Sequence, residues 1–161
     1  MRLFSMSRWV GGAVVGLAAT LVLAAPASAS GYKMTQSQAA SALRGVGITW
    51  SSSGNCTNRY VSTCTSFEQI NSGTVDGVST LHRASGCAVN ITGGTEVGHA
   101  SGTYSHWNGY KVDISKYTCV GNYIHNSFTR IANRGDGYPQ WRSAAGNIYC
   151  DEGTHWDILY Y

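Results

Sequence analysis

His106 and Asp113 stand seven positions apart with Asn108-Gly109 between them, and Glu152 precedes His155 by three near the far end of the 161-residue chain. Imidazole and carboxylate together suit a borderline cation such as Zn2+. Asn-Gly signals a tight turn, because both residues tolerate positive φ. Residues 110–114 (Tyr-Lys-Val-Asp-Ile) then alternate as a strand should, with Tyr110, Val112 and Ile114 on one face and Lys111 and Asp113 on the other. Asp113 is thus expected to project from a rigid strand toward the space that His106 enters before the turn. His106, Asp113 and His155 would hold a catalytic zinc, with a fourth position left to a water whose pKa the ion lowers. Glu152, across a short turn from His155, is the candidate general base.

Those four residues resemble the zinc D-alanyl-D-alanine metallopeptidases, a family of secreted carboxypeptidases, vancomycin-resistance dipeptidases and phage endolysin peptidases that shares a fold with the Hedgehog signalling domain. The family pattern is Ser-x-His-x6-Asp followed by Glu-x-x-His near the C-terminus. His106 and Asp113, in His-Trp-Asn-Gly-Tyr-Lys-Val-Asp-Ile, match the first part, and Glu152 with His155 match the second. The resemblance implies that His106, Asp113 and His155 bind zinc, that Glu152 is the base, and that the substrate is a peptidoglycan stem peptide. It covers residues 74–161; no recognised motif falls in 30–73. Two departures stand out. The family serine position is occupied by Tyr104, with Ser105 adjacent to the histidine, and the substrate-contacting arginine is replaced by Glu96. A glutamate cannot do an arginine's work toward a carboxylate or an oxyanion, so Arg83, Lys111 or Arg142 is expected to supply that charge. Tyr104, Ser105, His99 and Trp107 are candidate substrate contacts, with His99 a possible oxyanion donor.

The elements that must position these groups follow from periodicity. Residues 34–44 read as a helix with a capping threonine and a terminating Gly45, and 48–50 as a brief strand. Residues 74–85 place Val75, Val78, Leu81 and His82 on one helical face, with Thr74 as cap and Gly86 as stop. Residues 87–92 read as a strand ending at Gly93-Gly94, and the glycine-rich run to Gly102 as a loop over the site. Residues 120–131 carry a helical stripe beside which His125 falls, 133–140 read as surface loop, and 148–150 and 154–160 as strands around a turn at 151–153. His155 and Asp157 share a face opposite Trp156 and Ile158. The fold class expected is α+β, a small antiparallel sheet with helices packed on one face.

Residues 1–29 have the form of a secretory signal peptide: Arg2 and Arg8, an apolar stretch from Val10 to Leu23, then Ala27-Ser28-Ala29. The remaining 30–161 suffices for one zinc peptidase-like domain, secreted, monomeric and free of the membrane after cleavage. Without Arg2 and Arg8 the charge falls from +3 to 9 basic against 8 acidic residues, which argues against nucleic-acid partners. All five cysteines lie in the exported part, where disulfides persist. Cys56–Cys64 and Cys119–Cys150 are the candidate pairs. Two other functions stay open: a zinc-binding but inert wall-binding or protein-binding module, and a secreted ribonuclease using Glu and His as acid and base.

Overall fold

A computed structural model describes residues 31–161, so the leader expected over 1–29 lies outside the described residues. The α+β class holds, with a sheet more elaborate than expected. β1 (Lys33–Met34) pairs antiparallel with β3 (Ile70–Asn71) as a small separate ribbon. β2 (Thr49–Trp50), β4 (Asn90–Gly93), β5 (Lys111–Ser115), β6 (Thr129–Ile131), β7 (Gln140–Arg142), β8 (Ile148–Asp151) and β9 (His155–Leu159) form one seven-stranded sheet in the order β2-β4-β5-β9-β8-β7-β6. Its pairs are antiparallel except β2–β4, which is parallel, so the sheet is mixed and not antiparallel throughout.

Three helices complete the fold. α1 (Gln36–Gly45) begins at Thr35, whose hydroxyl accepts from the Gln38 N–H while the Gln38 side chain accepts from the Thr35 N–H, a capping box. α2 (Ser72–Ser85) ends at Gly86, in the left-handed conformation that a glycine adopts without strain. Its N-cap is Asn71, three residues before the expected cap. Thr74 is instead buried in the first turn and donates its hydroxyl to the Gly109 carbonyl at 2.7 Å. α3 (Thr118–Ser127) is shorter than its apolar stripe suggests. The end of that stripe, at 129–131, becomes β6 because a partner strand at 140–142 lies beside it.

The packing separates the sheet's two faces. Val112, Ile114, Trp156 and Ile158 join Ala39 and Leu43 of α1, Val75, Val78 and Leu81 of α2, and Val120 and Ile124 of α3 in one hydrophobic cluster. With side chains alternating along each strand, that burial turns Lys111, Asp113, His155 and Asp157 to the opposite face. The site is therefore a consequence of register: β5 and β9 pair Asp113 with Asp157 and Ser115 with His155.

Cys56–Cys64 is bridged as expected. The second pairing is corrected: Cys119 bonds to Cys87, and Cys150 is free and buried. Cys87 follows α2 and Cys119 opens α3, so the packing of these two helices brings them together. Cys150, on β8, pairs in register with Asp157 and so lies on the same face of the sheet as that carboxylate. Among the described residues no helix is long and apolar enough to cross a membrane, and the two disulfides are consistent with an extracellular protein.

Candidate metal centre

The turn before β5 delivers His106. Ser105 accepts the Asn108 N–H on its hydroxyl at 3.2 Å, its carbonyl accepts from Tyr110, and the His106 carbonyl accepts from Gly109. Gly109 has φ 77°, and a Cβ there would come 2.6 Å from the Gln69 carbonyl oxygen, so glycine is required on both counts. His106 is buried, and its Nδ1 lies 2.8 Å from the Gly94 carbonyl. A carbonyl only accepts, so Nδ1 carries a hydrogen, and Nε2 is the nitrogen turned to Asp113 and Asp157. Metal-binding histidines are commonly fixed in this way from behind.

Nε2 of His106 is 3.3 Å from Asp113 Oδ1, and His155 Nε2 approaches the same oxygen at 3.7 Å. Asp113 Oδ1 is buried and has no hydrogen-bond partner, and the same is true of Asp157 Oδ1, 3.6 Å from His106 Nε2. Two carboxylates directly opposite each other on neighbouring strands repel, and an orphaned buried anionic oxygen is costly. A cation in this space satisfies both. Burial by itself would lower the His106 pKa, but Asp113 and Asp157 overcome it and push it up to about 10, so a cation bound here would take the place of the proton on Nε2. Asp157 moves the other way: burial opposes ionisation, yet His106 and Lys111 hold it well below the usual carboxylate range.

The turn between β8 and β9 carries Glu152, whose Oε2 is 3.1 Å from His155 Nε2. Its other oxygen is gripped by Arg134 at 2.5 Å, and a second nitrogen of the same guanidinium binds Asp157 Oδ2 at 2.8 Å. Lys111 Nζ reaches that oxygen too, at 2.7 Å. These groups, with His99, His106 and Asp113, line a cleft of about 530 Å³.

The cluster with the tightest ligand geometry is not the expected set. Donor atoms of His99, His106 and Asp113 all lie within 4.8 Å of one another, and these three could hold a metal ion. His99 Nδ1 is 3.7 Å from Asp113 Oδ2, and its ring stacks on His106 with centroids 3.8 Å apart. The structure thus brings His106, Asp113, His155 and Glu152 into one cleft and sets His99 beside them.

The other candidate contacts fall elsewhere. Tyr104 packs edge-on against Tyr110 and Tyr161. Ser105 serves the turn, and Trp107 lies beneath the Arg59 guanidinium at 3.7 Å. Of the expected cations Lys111 lines the cleft, whereas Arg83 and Arg142 do not. Arg134 does so instead; in sequence it is one arginine in a glycine-containing loop, with no spacing to mark it. His82 ties the last turn of α2 to the segment after it, with Nδ1 2.7 Å from the Cys87 carbonyl.

The segment without a motif has a task at the site. Ser66 donates its N–H to Glu96 and accepts from the Thr95 N–H, and the Arg59 carbonyl accepts from Val97. Residues 59–66 thereby brace the glycine-rich loop. No protein-family model, no curated protein and no solved structure matches this chain.

Proposed function

We propose that the chain is a secreted zinc-dependent peptidase of the D-alanyl-D-alanine metallopeptidase type, acting on D-amino-acid bonds of peptidoglycan stem peptides. One observation carries the reading: His106 Nε2 and His155 Nε2 face the same buried, unpartnered oxygen of Asp113. Two imidazoles and a carboxylate on adjoining parts of one sheet suit zinc, and a Hedgehog-like or DD-peptidase-like arrangement of the fold goes with it. Held there, zinc supplies a Lewis acid for the scissile carbonyl.

The chain's own groups do the rest. Glu152 Oε2 takes the proton of the attacking water and returns it to the leaving nitrogen. Arg134 fixes Glu152 by its other oxygen and leaves Oε2 directed at the centre. Lys111 and Arg134 are the cations within reach of an anionic substrate group.

A second reading has a specific observation behind it. Glu96, at the position of the family arginine, is 3% exposed and engaged by backbone N–H groups, so it cannot turn toward a substrate. That favours a zinc-binding module that recognises wall peptides without cutting them. Zinc-loaded mature protein incubated with stem peptides, followed by mass spectrometry, separates the two. The peptidase releases D-alanine or split peptides, and Glu152→Ala abolishes turnover while retaining the metal. Metal bound without any cleavage establishes the binding module.

A further inference from the structure

We infer that His99 is an additional protein ligand of this centre and that Glu96 is the residue that aims it. The inference rests on the metal reading above and adds a donor that its motif does not contain.

Glu96 is held rigidly. Its carboxylate accepts the Ser66 N–H at 2.7 Å and the Gly94 N–H at 3.0 and 3.1 Å. Backbone N–H donors on both carboxylate oxygens make the surroundings of an ionised group. An ionised carboxylate only accepts. The 3.0 Å contact between Glu96 Oε1 and His99 Nε2 therefore places the hydrogen on Nε2 and the lone pair on Nδ1.

Nδ1 lies 3.7 Å from Asp113 Oδ2. Two electron-rich atoms so close repel unless a cation lies between them. His106 sets its Nε2 close to Asp113 beside the stacked His99 ring, and ligand atoms of the three residues lie within 4.8 Å of one another, so they converge on one space. A carboxylate behind a histidine that binds a metal in front is a common outer-shell device, which raises the histidine's basicity and fixes its tautomer. It also gives a reason for glutamate where an arginine stands in the resembling family: an arginine has no acceptor to offer His99.

The test uses the full mature chain. Zn2+ affinity is measured by competition with a chromophoric chelator, and Co2+ absorption reports the ligand set, for wild type, His99→Ala, Glu96→Gln and His155→Ala, each checked for folding by circular dichroism. Expected are 1:1 stoichiometry throughout, an affinity loss of about 10–100-fold in Glu96→Gln, the range for outer-shell partners, a larger loss in His99→Ala, and altered Co2+ bands in both. Should Glu96→Gln fail to fold, the partly exposed His99 still decides the matter. Unchanged affinity and an unchanged Co2+ spectrum in His99→Ala overturn the inference and leave the peptidase reading intact. Full affinity in His155→Ala with loss in His99→Ala does the reverse, upholding His99 and removing the ligand set on which the peptidase reading depends. A wild-type chain that takes up neither metal overturns both.

Discussion

Gly93 lies directly opposite Asp113 on the β4–β5 ladder, and a Cβ on it would sit 2.4 Å from Asp113 Oδ2. The carboxylate occupies the room that the missing side chain leaves. In Gly93→Ala the least costly relief is a rotation of Asp113, because its oxygen is the movable partner. We expect an affinity for Zn2+ reduced by about 10–100-fold, as when a ligand's support is disturbed, at a stability cost of about 1–3 kcal/mol from overpacking. Chelator competition and thermal melting measure the two separately. Wild-type affinity in the variant would show that Asp113 is not held by this contact.

Asp151 anchors the turn that presents Glu152 and His155. It accepts from the Gly153 N–H at 2.9 Å and pairs with Lys116 at 2.6 Å. Burial opposes its ionisation, but Lys116 and the Gly153 N–H lower its pKa below 3.8. A carboxyl lowered on folding adds stability above its unfolded pKa and loses it as pH falls through the folded one. Asp151→Asn should therefore melt below wild type at pH 7, with the gap closing as the pH falls below 3.8. A gap that persists unchanged at pH 2 would mean that the charge contributes nothing.

Cys87–Cys119 closes a loop with a sequence separation of 32, and Glu96, His99, His106 and Asp113 all lie inside it. By the chain-entropy argument a loop of that size adds about 3–4 kcal/mol, acting mainly on the unfolded state. The double variant Cys87→Ala/Cys119→Ala should lose about that much in urea unfolding and still bind metal at 1:1. Loss of metal stoichiometry in a folded variant would show that the bridge shapes the native site as well.

Cys150 is 2% exposed, and burial pushes its thiol up to about 11. Little thiolate forms at pH 8, and reagents cannot reach it. Iodoacetamide should leave the native chain unmodified and label one thiol per chain after unreduced denaturation. Two labelled thiols, or rapid labelling of the native form, would contradict the disulfide assignment or the burial.

What could be read in advance was local. Alternation over 110–114 and 154–160 set which residues of each strand share a face, and Thr35, Gly86 and the Asn108-Gly109 turn marked their elements. The shared face of His155 and Asp157 was legible too, because side-chain direction along a strand depends only on neighbours in sequence.

Partners at long range were not legible. Cys87–Cys119, the parallel β2–β4 edge and the β6–β7 pair each depend on which segments meet. Arg134 reached the site for the same reason, and His99, read as a substrate contact, came to lie beside Asp113 and His106. Loops offer no periodicity, and their side chains are placed by remote contacts such as that of Ser66 on Glu96. The sequence by itself singled out His106, Asp113, Glu152 and His155 as candidates and set the strand faces of Asp113 and His155, because residue chemistry and the two-residue period are local. Only the tertiary structure decided the β5–β9 register that sets Asp113 against Asp157, the entry of Arg134 into the cleft, and the choice of Lys111 over Arg83 and Arg142 as a lining cation. Register and loop docking are fixed by burying the opposite face of the sheet against three helices, and that sum of distant contacts is written in no single stretch of the chain.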